Sequence, residues 1–254
     1  MENNDFKTVD DIQYHLDKQQ YIANRELSTS LFLSLKMNKP IFLEGEPGVG
    51  KTEIAKALSE IMDTKLIRLQ CYEGLDVHNS IYEWNYSRQI LQIRMMEVEG
   101  KSDQASISSE IFGSKFLIKR PLYQAIDFEG SSPPVLLIDE LDRADEEFEA
   151  FLLEILSDYQ ISIPEIGTIQ AESPPIVVIT SNRTREIHDA LKRRCLYHWI
   201  GYPTAKQEFE KRVKESKRQA IEENIKIAKE TGNKLTQGLT EDGELVGVKE
   251  MNTQ

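Results

Sequence analysis

A glycine-rich segment near the start of the chain has the spacing of a phosphate-binding loop. It reads Gly45-Glu46-Pro47-Gly48-Val49-Gly50-Lys51-Thr52, a glycine, four residues and then Gly-Lys-Thr. Glycines let backbone amides surround a β-phosphate, Lys51 can bridge the β and γ oxygens, and Thr52 can offer its hydroxyl to Mg²⁺. The alternative is a tight Gly-Pro turn between a strand and a helix. Because an apolar run precedes the segment and an amphipathic run follows it, we predict that it binds ATP together with Glu53.

Two adjacent carboxylates stand at the end of another apolar run. Asp139 and Glu140 directly follow residues 135–138, and carboxylates at a buried strand end are costly unless a cation meets them. We expect Asp139 to hold Mg²⁺ through its water shell and Glu140 to orient and deprotonate the attacking water. The alternative is that Asp139 caps the next turn and Glu140 is solvated. Asp142 and Arg143, next along the chain, form either a local ion pair, which we favour, or a contact across a subunit boundary.

An asparagine ends the following apolar run, residues 176–179, in the sequence Thr180-Ser181-Asn182. Adjacent parallel strands end at the same edge of a sheet, so Asn182 is predicted to lie beside Asp139 and Glu140. There its amide could position the lytic water or touch the γ-phosphate. The alternative is that Asn182 only forms a turn.

Paired arginines follow in the segment Asp189-Ala190-Leu191-Lys192-Arg193-Arg194-Cys195. A cationic run at a helix C-terminus complements the helix dipole, which is the simpler explanation. The other is an arginine finger that enters a neighbouring subunit's ATP site and stabilises the departing γ-phosphoryl group. We favour Arg194 for this role, with Arg193 as the alternative or a helper.

Short apolar runs bounded by turn residues predict the strands of a buried parallel sheet. They are residues 41–43, 66–69, 135–138 and 176–179, with a weaker fifth run at 196–200. Apolar residues at helical spacing predict helices over 52–62 and 146–157, the second with Asp145 as its N-cap. This alternation indicates a doubly wound α/β domain.

Two segments interrupt the alternation of strands and helices. Residues 159–172 alternate around Ile161 and Ile163 and turn near Gly167, which predicts a β-hairpin before the strand that ends at Asn182. Residues 89–98 are predicted to form an extra strand or hairpin, and the polar residues 97–110 a loop.

The expected domain organisation follows from these patterns. Residues 1–38 are expected to form an N-terminal helical segment, which the family resemblance given below places along the nucleotide site, and residues 39–203 form the core. Residues 204–254 form a charged tail, in which residues 206–234 carry a thin apolar stripe at helical spacing and are expected to form one or two solvated helices.

Composition narrows the classes of function. The net charge of -12 disfavours nucleic acid, for which clustered Lys and Arg are expected. Cys71 and Cys195 lack a metal-ligand spacing and are expected to be reduced, packed thiols. The first residues lack the pattern of a signal peptide, and no apolar run approaches the ~20 residues that span a bilayer. We expect a cytoplasmic protein without a membrane segment.

Taken in order, these motifs resemble the MoxR branch of the AAA+ ATPases over residues 21–203. The segments CYEGLDV, LIDELDRADEEFEAFLLEILSD and TSNRTREIHDALKRRCLYHW are similar to the CoxD-like subgroup, which is associated with maturation of a molybdenum–copper carbon monoxide dehydrogenase. The resemblance implies an α/β/α core with a five-stranded parallel sheet, a hexameric homo-oligomeric ring and ATP-driven remodelling of a client protein. It also implies, in many members, a partner with a von Willebrand factor A domain.

The resemblance also carries over individual residues. Lys51, Thr52, Asp139, Glu140, Asn182 and Arg194 match functional positions of the family. Tyr21 and Ile22 lie where such proteins line the adenine pocket. One departure concerns the helical lid, which normally carries an arginine that senses the γ-phosphate. The tail is short and poor in apolar residues, Arg212 and Arg218 are weak candidates, and the lid is therefore expected to be reduced or truncated.

Three functions remain open from the sequence. The first is an ATP-dependent chaperone that matures a client, such as a metalloenzyme. The second is a nucleotide-gated binding module with little turnover, suggested by the missing lid. The third is a nucleic-acid motor, against which the acidic charge argues.

Overall fold

A computed structural model describes residues 6–98 and 110–202 and, beyond them, the isolated helical residues Phe209, Val213 and Ser216. The chain divides into two compact units, Met1–Tyr202 and Pro203–Gln254. In the described part, no helix is both long enough and apolar enough to cross a membrane.

A five-stranded parallel sheet forms the centre of the first unit. Its strands, in spatial order, are β2 (Leu66–Gln70), β5 (Val135–Asp139), β8 (Ile176–Ser181), β1 (Ile41–Gly45) and β9 (Leu196–Ile200). β5 and β1 are buried along their whole length. All five predicted strands are confirmed, and their carboxyl ends meet at one edge of the sheet.

Helices cover both faces of the sheet, which gives the predicted three-layer α/β/α core. One face packs against α1 (Val9–Lys18), α2 (Arg25–Met37) and α3 (Lys51–Ile61), with Leu16, Leu31 and Ile54 among the buried contacts. Helices on the other face are α4 (Val77–Ile81), α6 (Pro121–Ile126), α7 (Glu146–Asp158) and α8 (Asp189–Arg194).

The predicted cap of α7 is confirmed. The Asp145 carboxylate accepts the amide hydrogen of Phe148 at 2.8 Å, which satisfies one of the free N–H groups in the first turn. Phe148, Leu152 and Ile155 then bury the apolar stripe of α7 against the sheet. The predicted hairpin is also confirmed: β6 (Gln160–Ile163) pairs with β7 (Gly167–Gln170) in antiparallel register before β8.

The prediction of a strand over residues 89–98 is wrong, because these residues form most of helix α5 (Tyr86–Val98). The Asn85 side chain caps this helix by accepting the amide of Arg88 at 3.0 Å. Apolar residues lie on both faces of α5: Met96 is buried, whereas Leu91 and Val98 are exposed. This distribution hides the helical period in the sequence. The strands that flank the helix, β3 (Tyr82–Trp84) and β4 (Leu117–Lys119), pair with each other instead.

Other predictions fall largely outside the described residues. Glu97 and Val98, predicted to begin a loop, close α5 instead, and the remainder of that loop is not described before Glu110. In the charged tail, Phe209 and Val213 of the apolar stripe are helical. Arg212 and Arg218 lie outside the described residues.

Candidate functional site

The glycine-rich loop connects β1 to α3 at the carboxyl edge of the sheet. Gly45 ends β1 so close to β9 that a β-carbon there would lie 2.1 Å from the Ile200 carbonyl oxygen. Gly50 precedes α3 with φ 95°, a left-handed conformation that favours glycine. The loop therefore depends on glycine both for close strand packing and for the turn that aims the first amides of α3.

Lys51 is buried at the start of α3 and points back across the loop. Its Nζ donates to the carbonyl oxygens of Gly45 and Glu46, each at 2.7 Å. Burial lowers the pKa of the Lys51 ammonium, and the carboxylates of Asp142 and Asp139 oppose this shift. The ammonium thus lies in the field of the acidic strand end, within reach of the loop that would hold the phosphates.

Asp139 at the end of β5 is joined to the loop on one side and to β8 on the other. The Thr52 hydroxyl donates to Asp139 Oδ1 at 3.0 Å, and the Thr180 hydroxyl donates to the same oxygen at 2.6 Å. The second carboxylate oxygen, Oδ2, accepts from Arg68 Nε at 3.1 Å and Nη2 at 2.5 Å. The loop and the acidic strand end, far apart in sequence, therefore meet on one side of the sheet.

Glu140 turns away from the strand with φ 55°, an uncommon conformation for a non-glycine residue. Its amide donates to Thr180 Oγ1 at 2.9 Å. Its carboxylate oxygen Oε2 accepts from Gln70 Nε2 at 3.1 Å and pairs with Arg143 Nε at 3.0 Å. The favoured local pair of Asp142 with Arg143 is wrong in its partner. Arg143 pairs with Glu140, and the Asp142 carboxylate is instead occupied by donors from the loop after β8.

Asp142 holds the loop that follows β8. Its carboxylate accepts the amide of Asn182 at 3.1 Å, the amide of Thr184 at 2.9 Å and the Thr184 hydroxyl at 2.6 Å. Burial by itself would raise the pKa of Asp142, but the hydrogen bonds from Thr184 and Asn182 outweigh it and hold the pKa below its ordinary value. These bonds fix the backbone of half-buried Asn182 beside the acidic strand end.

A buried ion pair also fixes the segment that leads from β8 to α8. Glu149 on α7 is almost fully buried, pairs with Arg185 and accepts the amide of His188 at 2.7 Å. Arg185 also donates to the Ala144 carbonyl oxygen at 2.5 Å. The segment between β8 and α8 is therefore anchored at both ends.

The two arginines of α8 have different surroundings. Arg194 Nη1 contacts the Leu153 carbonyl oxygen and the Ser157 hydroxyl, both on α7 of the same chain. The Arg193 side chain is exposed and makes no hydrogen bond or ion pair with any other described residue.

The turn between α1 and α2 brings Tyr21 to the phosphate loop. A β-carbon placed on Gly50 would lie 3.5 Å from Tyr21 Cε2, so the ring rests against the loop. Burial, and then the charge of Glu53, raises the pKa of Tyr21, which keeps the phenol neutral. Ile22 is half-buried in the same turn.

The residues present fit Mg-ATP. Thr52 and Asp139 offer a hydroxyl oxygen and a carboxylate oxygen 3.0 Å apart, and Mg²⁺ prefers such oxygen ligands, completing its shell with water and phosphate. Among the described residues, no group of three or more His, Cys, Asp or Glu could hold a metal ion.

Among the residues that contact Asp139 and Glu140, three escape the sequence patterns: Arg68, Gln70 and Thr180. Arg68 and Gln70 lie on β2, and Gln70 is the register partner of Asp139. The available signal was a charged side chain, Arg68, inside the otherwise apolar run of residues 66–69. Thr180 had no signal of its own, because its role depends on how β5 and β8 pair.

The fold and the site define a P-loop nucleotide-binding protein. A family model described as the AAA domain of the dynein-related subfamily matches residues 40–195, and the chain belongs to that family. Uncharacterized proteins from Staphylococcus aureus strains USA300 and COL are 27% identical over 173 residues, which cover 65% of this chain and 57% of theirs. The chain thus spans little more than half the length of these relatives.

A solved structure shares the fold. The crystal structure of a predicted ATPase from Cytophaga hutchinsonii superposes with a TM-score of 0.55 and 20% identity, covering 82% of this chain and 56% of that one. The similarity extends to the fold alone.

Proposed function

We propose that this protein is an ATPase that binds and hydrolyses Mg-ATP and works in an oligomeric ring to remodel a client protein. The observation that carries the proposal is the 3.0 Å hydrogen bond between Thr52 and Asp139. It places the two oxygens suited to a nucleotide-bound Mg²⁺ next to a glycine loop with a buried lysine.

Each residue then has a chemical task. The loop of residues 45–53 surrounds the phosphates, and Lys51 leaves the carbonyls of Gly45 and Glu46 to meet the β and γ oxygens. Bound Mg²⁺ would neutralise charge that develops on the phosphates. Glu140 orients the attacking water and accepts its proton, and Asn182 positions the same water from the neighbouring strand. Tyr21 and Ile22 line the base side of the pocket.

The ring is proposed because AAA proteins commonly oligomerise and because α8 ends in two exposed arginines. Arg193 or Arg194 would reach the ATP site of the next subunit. Resemblance to MoxR and CoxD-like proteins suggests a metalloenzyme in the cytoplasm and a helper with a von Willebrand factor A domain, with residues 204–254 as a reduced or truncated lid.

Two substitutions test the ATPase. Lys51→Ala is expected to abolish binding of a fluorescent ATP analogue. Glu140→Gln keeps the size and the φ of the residue, so it is expected to bind the analogue normally while turnover falls by about 10²- to 10⁴-fold. Normal nucleotide binding by Lys51→Ala would contradict the proposal.

A nucleotide-gated binding module with little turnover is the second candidate. It is favoured by the contacts of Glu140, whose carboxylate is engaged by Gln70 and Arg143. Equal and negligible hydrolysis by the wild type and Glu140→Gln, with nucleotide binding intact in both, would favour this module.

A further inference from the structure

The ion pair of Asp139 involves a residue outside the phosphate loop. Arg68 donates twice to Asp139 Oδ2, through Nε at 3.1 Å and Nη2 at 2.5 Å. The other oxygen, Oδ1, is occupied by Thr52 and Thr180. The Asp139 side chain is only 3% exposed, whereas that of Arg68 is 53% exposed. A buried carboxylate is thus compensated by a cation that enters from the surface.

The buried carboxylate of Asp139 needs the positive charge of Arg68 for a physical reason. A buried carboxylate without a counter-charge is strongly destabilising, so the metal-free protein needs a cation at this point. Mg²⁺ demands near-octahedral geometry and keeps several waters, which need space around the carboxylate. A guanidinium on Oδ2 fills part of that space, and two cations at one monovalent carboxylate repel each other.

The position of Arg68 allows its side chain to move away from Asp139. It lies on β2, at one edge of the described sheet, and more than half of its side chain already faces solvent. Its Nη2 also donates to Gln70 Oε1 at 2.5 Å, and the Gln70 amide holds Glu140 Oε2 at 3.1 Å. Departure of Arg68 would therefore also loosen one of the contacts that engage Glu140.

We propose that Arg68 is the resident counter-cation of Asp139 and competes with Mg²⁺ for this carboxylate, so that loading of Mg-nucleotide turns Arg68 outward. Arg68 is a positioning residue, since it acts through Asp139 and Gln70 and not on the substrate. The inference rests on the proposed function, because it requires that Mg-nucleotide binds beside Asp139.

The test measures how much Mg²⁺ is needed for binding of a fluorescent, slowly hydrolysed ATP analogue. Charge-assisted hydrogen bonds of this kind correspond to about one decade in an equilibrium constant. Arg68→Gln is therefore expected to lower the half-saturating Mg²⁺ concentration by about tenfold. Arg68→Lys keeps the charge but not the paired donation, and it is expected to lower the concentration by about threefold.

Arg143→Gln is the matched control, because it removes the same charge beside Glu140 instead of Asp139. Its pair is partly exposed and screened, so the Mg²⁺ requirement is expected to change by less than about threefold. An unchanged or higher requirement in Arg68→Gln, or an equal fall in Arg143→Gln, would overturn the inference. Failure of the wild type to bind the analogue would instead refute the proposed function.

Melting temperature gives a second readout that does not depend on turnover. Without metal, Arg68→Gln is expected to melt below the wild type, because Asp139 loses its counter-cation. On addition of Mg²⁺ and the analogue it should gain more than the wild type gains. An equal or smaller gain would count against competition. If Arg68→Gln does not fold, Arg68→Lys decides the question by the same two measurements.

Discussion

Thr180 on β8 donates its hydroxyl to Asp139 Oδ1 at the end of β5, with an oxygen–oxygen distance of 2.6 Å. The same hydroxyl oxygen accepts the amide of Glu140 at 2.9 Å. Thr180 is fully buried, so water cannot replace either bond. One hydroxyl thereby holds the Asp139 carboxylate and the backbone of Glu140, the two acidic residues that the proposed chemistry requires.

Thr180→Val removes this hydroxyl with little change in shape. The buried Asp139 carboxylate loses a donor and the Glu140 amide loses its acceptor, so the free energy of unfolding is expected to fall by about 1–3 kcal/mol. Urea denaturation measures the loss, and ATP hydrolysis should fall more than nucleotide affinity because Glu140 loses its support. Thr180→Ser keeps the hydroxyl and should retain most of the turnover. A Val variant with normal stability and turnover would refute this role.

Asp142→Asn tests the anchor of the loop after β8. The pKa of Asp142 in the folded protein is held below its ordinary value of 3.8. Its charge therefore stabilises the fold above that pH, and this contribution is lost as the pH falls through the folded-state pKa. Asp142→Asn is expected to cost about 1–3 kcal/mol at pH 7, and its deficit should shrink as the pH drops below 3.8.

Asp145→Asn provides the comparison for that experiment. Asp145 is an N-cap, where asparagine serves as well as aspartate, so its stability should change little at either pH. A deficit in Asp142→Asn that stays constant down to acid pH would mean that the charge of Asp142 is not what holds the loop.

Assemblies that contain both wild-type and variant subunits distinguish the roles of the two arginines of α8. Both arginines are exposed, but Arg194 is engaged by α7 of its own chain. The contacts therefore favour Arg193 as the residue available to a neighbour. Arg193→Ala subunits should depress hydrolysis in wild-type neighbours, and pure Arg193→Ala protein should lose about 10³-fold or more in turnover. Arg194→Ala should mainly lower the melting temperature.

The measurement is ATP turnover across mixing ratios of wild-type and variant protein. Activity that only tracks the wild-type fraction for Arg193→Ala would exclude Arg193 as a finger. If only Arg194→Ala depresses hydrolysis in wild-type neighbours, Arg194 is the finger, as the sequence analysis favours.

Sequence patterns predicted the features that residues close together along the chain determine. The glycine loop, the five strands and the cap at Asp145 follow from residue types read in order. Helix α5 was misread because its apolar residues serve both the core, through Met96, and the surface, through Leu91 and Val98. Asn85, whose side chain starts the helix, was the signal that could have corrected the prediction.

Contacts between side chains on neighbouring strands could not be predicted from the sequence in the same way. Arg68, Gln70 and Thr180 act on carboxylates of a neighbouring strand, and their partners are set by strand order and register. Neither property is encoded in the run of apolar residues that marks a strand. The partner of Arg143 was missed for a related reason, since it depends on the left-handed turn at Glu140.

Glu149 on α7 pairs with Arg185 and accepts the amide of His188. These contacts fix the segment between Asn182 and α8 to α7. In the ring proposed above, a nucleotide-dependent shift of Asn182 is therefore expected to displace α8 and Arg193 toward the adjacent subunit, without local unfolding of the intervening loop.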